Sequence, residues 1–364
     1  MLLSEMYRIP WTKNDNPNGW IEVTTECQLD CSGCYRAESG DDIRDPVEQM
    51  RRLKTDVDTL VAMRNIQTLS IAGGEPLLYA GLEELISYAR SKRLATRLFT
   101  NAVLLDDATL DSLTKAGLTE MIIHASLWQE RLTPNTMAEL LKLKAAYCDM
   151  FRANGRVRLG FIEPAMRRFW DQAPLLFEFY QRNSDIVSNV VFTTFKDAYG
   201  GPADQHLPIE EVGEMIERCY GTSPCAYIPK VHHPDKVAWL LNVAVLQDGK
   251  VVGSLSGRDY GAAQEQYRAV MGKYLFTPES DDLVTGLGAE PQSEEAEQFS
   301  ELMRALRASV NHQVVSVVDS PQLLDDGRVD MCDSCPDAIL YQGELLPKCI
   351  LDKIKGGLEV HIAR

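Results

Sequence analysis

Residues Cys27–Tyr35 read CQLDCSGCY. Three cysteines, Cys27, Cys31 and Cys34, share nine positions with Asp30 as the only charge. The preceding segment WIEVTT (20–25) is rich in β-formers and reads as a strand. The cysteines therefore occupy the loop that leaves the C-terminal end of that strand. Thiolates at x3 and x2 spacing can reach three corners of an iron–sulfur cluster and leave one iron without a protein ligand. Zinc, which takes four ligands in a structural site, and unligated thiols are the alternatives. The loop offers neither a fourth cysteine nor a histidine.

Beyond the loop the chain becomes regular. Apolar residues at Val47, Met50, Leu53, Val57, Leu60 and Val61 give residues 44–64 a helical period. Strands are predicted at 66–72, 94–100, 120–126, 157–162 and 186–195. Helices are predicted at 82–92, 108–117, 137–151, 175–182 and 209–220, with Gly117 at a plausible C-cap. Six strand–helix units in about 200 residues imply parallel strands joined by crossovers, in an open sheet or a partial barrel. After Cys225 the rhythm stops. Residues 239–255 read as a hairpin turning at Asp248-Gly249. Residues 277–293 read as a loop, 293–310 as an amphipathic helix and 338–350 as a second hairpin. A domain boundary is expected near 221.

Composition narrows the classes of partner. The chain has 364 residues, 45% of them hydrophobic, enough for a sizeable core. Lysine and arginine number 37 against 53 acids, a net charge of -16. Such a chain gains nothing from phosphate counterion release, so nucleic acid is not an expected partner, and an anionic membrane surface suits it poorly. The opening MLLSEMYRIPWTKNDNPNGW lacks a basic stretch followed by a long apolar run, so no signal peptide is expected. No membrane-spanning helix is expected either. The expected location is cytoplasmic. Nine cysteines there point to metal binding or catalysis before disulfides.

The second strand ends in SIAGGEPL (70–77). Gly73 and Gly74 permit close backbone approach, Glu75 places a carboxylate there and Pro76 stiffens the exit. Together, the cysteine loop after strand one and the GGE turn after strand two resemble the radical S-adenosylmethionine (radical SAM) superfamily. The resemblance covers roughly residues 18–220. It implies a [4Fe–4S] cluster on Cys27, Cys31 and Cys34, with the methionine part of S-adenosylmethionine chelating the open iron. It implies reductive cleavage to a 5′-deoxyadenosyl radical that takes hydrogen from substrate, and a reducing partner such as flavodoxin or ferredoxin. Tyr35 matches the aromatic residue commonly beside the last cysteine. Gly73, Gly74, Glu75 and Pro76 match the turn that holds the cofactor's amino group. Thr100 and Asn101 match a Thr-Asn pair common at the third strand's end. Where the fourth strand often ends Ser-Leu-Asp, this chain has Ser126-Leu127-Trp128, so Ser126 is kept as a cofactor contact and the acid is absent. His124 shares a strand face with Ser126 and is a candidate for substrate contact. Glu163, ending strand five, is a candidate catalytic residue.

The C-terminal stretch MCDSCPDAILYQGELLPKC (331–349) spaces Cys332, Cys335 and Cys349 at x2 and x13. It looks like the SPASM and twitch auxiliary-cluster domains of the same superfamily, with too few cysteines for two clusters. A structural zinc ribbon is the alternative. Cys219 and Cys225 are candidate fourth ligands. Ser254 stands where a cluster-binding hairpin could carry a cysteine. The spacing also resembles the molybdenum-cofactor GTP cyclase, but no arginine lies between Cys335 and Cys349. Cys148 reads as a buried helix residue, and His232 and His233 as loop residues. The expectation is an α/β protein: a partial (βα)6 barrel over 1–220 and a small α+β auxiliary-cluster domain over 221–364. Its expected activity is hydrogen abstraction from a small metabolite or natural-product intermediate, aided by one auxiliary cluster. A peptide substrate is the second expectation, and a non-catalytic iron–sulfur or zinc protein the rival of another class.

Overall fold

The computed structural model describes residues 3–31, 34, 45–129, 131–195, 203–276 and 310–355. After a two-residue strand β1 (Tyr7–Arg8) come six strands: β2 (Asn18–Glu22), β3 (Thr68–Ala72), β4 (Ala95–Thr100), β5 (Glu120–His124), β6 (Arg158–Ala165) and β7 (Val187–Thr194). They lie side by side in chain order, all parallel. A helix comes after each: α1 (Pro46–Arg64), α2 (Leu82–Ser91), α3 (Asp107–Ala116), α4 (Met137–Asn154), α5 (Ala173–Arg182) and α6 (Ile209–Tyr220). The sheet does not close on itself, so the (βα)6 unit is a partial barrel.

Local chemistry sets the helix ends. Asp45 caps α1 by accepting from Val47 N, Pro46 takes the first turn where no N–H is needed, and Asn65 ends the helix in left-handed backbone. Thr136 and Glu139 form a reciprocal capping box at α4. Gly117 ends α3 at φ 106°, where a side chain would be strained. The buried stripe of α1 (Met50, Leu53, Val57, Leu60) repeats at three and four residues, so one face meets the sheet.

The rest of the chain extends the same sheet at both edges. β8 (Ala226–Pro229), β9 (Val237–Gln247) and β10 (Lys250–Ser254) come first. The β9–β10 turn puts Asp248 and Gly249 at φ 50° and 72°, the conformation a two-residue hairpin needs. Helix α7 (Gly257–Met271) and strand β11 (Asn311–Val318) come next; neither announced itself in the sequence pattern. β11 lies parallel to β7 and antiparallel to β9, and β8 and β1 complete that side. At the other edge, β14 (Ala338–Tyr341) pairs with β2 and with β15 (Glu344–Pro347). The hairpin β12 (Gln322–Leu323)–β13 (Val329–Asp330) stands apart, and a short helix α8 (Leu351–Lys355) ends the described chain. The loop at 277–293 lies outside the described residues, as does all of the helix expected at 293–310 except residue 310. Among the described residues no helix is long and apolar enough to cross a membrane.

Candidate active site

The backbone beyond β2 keeps company with β3 for four more residues. Val23 N donates to Ala72 O at 2.9 Å, Gly74 N to Thr24 O at 2.8 Å and Glu75 N to Glu26 O at 2.7 Å. This contact explains the glycine pair. A β-carbon at Gly74 would lie 2.6 Å from Thr25 O and closer still to Glu26 O. Gly73 has φ 145° and packs equally tightly on Thr24. Cys27 comes directly after the last of these bonds, so the GGE turn is the platform on which the cysteine loop starts.

Glu75 is fully buried, with Thr100 Oγ1 donating to it at 2.6 Å, Asn101 N at 2.7 Å and Leu77 N at 3.0 Å. Burial raises its pKa, and these hydrogen bonds pull the other way. The carboxylate thus ties the end of β3 to the end of β4 and starts the 3-10 turn at buried Pro76. Asn101 reaches the cysteine loop: its Nδ2 lies 3.6 Å from Cys27 Sγ, and its Oδ1 accepts from Gln28 Nε2 at 3.0 Å. Arg131 then clamps β4 to β5, donating to Asn101 O, to His124 O at 2.9 Å and to Gln129 Oε1 at 2.7 Å. Nothing in the motif spacing singled out Arg131.

Cys27, Cys31 and Cys34 open onto a cavity of about 330 Å³ on the inner face of the sheet, together with Gly73, Gly74, Thr100 and Asn101. Its wall obeys strand alternation: Ile122 and His124 on β5, Ile162 and Pro164 on β6, Asn189, Val191 and Thr193 on β7. His124 is half-buried there, with Ser126 Oγ 3.3 Å from its Nε2. Burial, with the Lys144 and Arg131 charges, holds its pKa down at about 3, so it is neutral at ordinary pH. Ser126 itself is buried behind His124 and does not line the cavity. Trp128, at the position of the missing acid, lines the cavity and packs edge-on against Phe195 at 5.7 Å. Tyr35 lies outside the described residues.

Glu163 does not reach this cavity. It sits on the helix side of β6, in an ion pair with Lys144 Nζ at 2.5 Å and accepting from Tyr180 OH. It is the counter-charge of a fully buried lysine, which corrects the expectation of a catalytic carboxylate.

The second cysteine group joins the same cavity: Cys332, Cys335 and Cys349 line it with Met331, Pro336, Asp337 and Lys348. Cys332 is bridged to Lys230, whose Nζ pairs with Asp319 at 2.6 Å. The 334–337 turn is pinned to the barrel. Asn16 Nδ2 donates to Ser334 O at 3.3 Å, Asn18 Nδ2 to Asp337 Oδ1 at 3.0 Å, and Arg64 donates to Cys335 O and Pro336 O. Burial, then Cys335 and Cys349 nearby, push the Cys332 thiol far above its ordinary range. A bound cation reverses that, because a coordinating thiol is deprotonated outright. Among the described residues, neither trio converges, as placed, into a group that could hold a metal ion. The donor types and their shared cavity fit iron–sulfur ligation.

The structure does not bring Cys219 or Cys225 to either trio. Cys219 ends α6 beside the core, and its carbonyl accepts from Gln181. Cys225 is buried, its thiol bonded to Leu241 O at 3.4 Å, and burial pushes it up to about 12. Ser254 is exposed on β10 and does not line the cavity. His232 and His233 are loop residues: His233 Nδ1 meets Asp330 at 2.6 Å, and His232 N donates to the same carboxylate at 3.0 Å. Cys148 is fully buried in the core.

Comparison with known proteins agrees with the motif. Residues 21–144 match the radical SAM superfamily model. The PqqA peptide cyclase of Gluconobacter oxydans is 32% identical over 105 residues, 27% of this chain and 26% of that protein. The PqqA peptide cyclase of Granulibacter bethesdensis is 32% identical over 104 residues, 27% of this chain and 25% of that protein. The chain thus spans about a quarter of the length of these relatives. Streptococcus suis SuiB, solved bound to precursor peptide SuiA, superposes with TM-score 0.44 at 16% identity over 56% of this chain and 47% of that one. With the cysteine loop and GGE turn at the ends of adjacent parallel strands, and the family match spanning both, residues 21–144 are a radical SAM domain.

Proposed function

We propose that this protein is a radical SAM enzyme whose substrate enters the aromatic-walled cavity between the two cysteine groups. The observation that carries the reading is that Cys27, Cys31 and Cys34 open onto the same cavity as Gly73, Gly74 and Asn101. When bound, a [4Fe–4S] cluster on those cysteines supplies the electron that splits S-adenosylmethionine, and the 5′-deoxyadenosyl group takes hydrogen from substrate. Residues of the chain do the positioning. The Gly73–Gly74 backbone offers carbonyls to the methionine amino group. Asn101 orients Cys27, and Glu75 and Arg131 hold Asn101. Neutral His124 serves as a hydrogen-bonding group at the substrate. Cys332, Cys335 and Cys349 hold a second centre facing the same space, in a SPASM- or twitch-like C-terminal region.

The substrate carries an apolar group, because Trp20, Phe99, Trp128 and Trp239 line the cavity with few charges. A small natural-product intermediate fits this description. A peptide side chain is the second reading, favoured by the likeness to the PqqA peptide cyclases. The enzymatic reading is tested by anaerobic reconstitution with iron and sulfide, then dithionite and S-adenosylmethionine. The protein should release 5′-deoxyadenosine, and the Cys27→Ala/Cys31→Ala/Cys34→Ala variant should release none. Equal release by that variant would overturn the assignment.

A further inference from the structure

Arg64 closes α1 and is fully buried. Its Nε donates to Asn18 O at 2.7 Å, its Nη2 donates to Cys335 O and Pro336 O, and its Nη1 has no partner. Other buried cations each have a carboxylate: Arg97 has Glu120, Lys144 has Glu163 and Lys230 has Asp319. Among the described residues Arg64 forms no ion pair. A guanidinium stays protonated in proteins, so Arg64 is a buried cation. A buried charge without a counter-ion is strongly unfavourable, and backbone carbonyls offset only part of that.

The turn that faces Arg64 carries Cys335, whose carbonyl accepts from its Nη2, and Asp337 two residues on. Asp337 is already engaged by Asn18 at 3.0 Å and lies 3.9 Å from Lys348 Nζ. A protonated Cys335 supplies no compensating charge. Three thiolates around a doubly positive four-iron core leave a net negative charge, and one-electron reduction adds another.

We propose that Arg64 is the counter-cation of a metal–thiolate centre on Cys332, Cys335 and Cys349, and that its charge favours the reduced state of that centre. This rests on reading those cysteines as an iron–sulfur site. The full-length Cys27→Ala/Cys31→Ala/Cys34→Ala variant isolates the centre. After reconstitution it should keep about four irons per chain, and its midpoint is read by EPR during titration with dithionite. Adding Arg64→Gln should lower the midpoint by at least tenfold in the reduction equilibrium, about 59 mV for one electron. Adding Arg64→Lys, which keeps the charge, should leave it near the parent value. Loss of iron in Arg64→Gln with iron and midpoint kept in Arg64→Lys also supports the counter-cation.

Equal midpoints in parent and Arg64→Gln overturn the inference. So does a matching fall or loss of iron in Arg64→Lys, since the carbonyl bonds rather than the charge would then matter. An iron-free parent removes the centre itself, and is told apart because it fails before Arg64 is touched.

Discussion

At Gly74 the missing atom is the functional one. The obstruction that a side chain meets there is the chain's own backbone at Thr25 and Glu26. Gly74→Val should therefore destabilise the apo-protein, by about 3 kcal/mol or more, by prying apart the strand ends beneath Cys27. Urea unfolding of metal-free protein checks this, and an unchanged midpoint would place the glycine's role in ligand contact alone. His124 makes a prediction of the opposite kind, through a proton. Its folded pKa of about 3 lies below the ordinary 6.5. As pH falls below 6.5 the unfolded chain takes up a proton that the folded chain refuses, so stability is lost between pH 6.5 and about 3. His124→Gln should lose less stability than wild type between pH 7.5 and pH 5 in paired urea titrations. Equal losses would mean the imidazole protonates freely in the fold.

Among the elements, β6 shows how a strand divides its residues. Ile162 and Pro164 turn to the cavity, while Phe161 and Glu163 turn to the helices, where Phe161 stacks on Tyr180 at 5.6 Å. Lys144 reaches from α4 over the Phe161 ring, 4.2 Å from its centroid, to its ion pair with Glu163. Removing one member of such a pair strands the other. Glu163→Leu should cost about 3–5 kcal/mol, and the Lys144→Met/Glu163→Leu double variant should recover most of it. At a temperature where it remains folded, the double variant should cleave S-adenosylmethionine at the wild-type rate. A large loss of turnover in the folded double variant would restore a chemical role to Glu163.

Across the whole molecule, the C-terminal chain is built into the sheet rather than attached to it. β11 pairs with β7 along Val314–Val318, and β14 covers the β2 edge. A fragment ending at residue 220 exposes both strand edges, and unpaired edges recruit other chains. It should elute as aggregate in size-exclusion chromatography where the full chain elutes as a defined species. A monodisperse, cooperatively unfolding fragment would show that the barrel stands alone.

Strand–helix order, helix limits, hairpin turns and the cysteine motifs were readable because their causes are local. Asp45, Thr136 and Gly117 act on backbone within a few residues, and Asp248-Gly249 fixes its own turn. Alternation along FIEPA separates two faces, but only the curved sheet decides which face is the inside, and that decision sent Glu163 to the helices. The cysteine partners were equally non-local. Cys225 and Cys332 are both candidate ligands by sequence, yet Cys225 is spent on a carbonyl of β9 while Cys332 faces the cavity. Arg64 meets Cys335 across 271 positions of sequence. Its charge became interpretable only once burial removed water and the fold left one thiol-bearing turn to answer it. Local rules choose the elements. Desolvation and long-range packing, which exist only in the assembled fold, choose which side chains can act together.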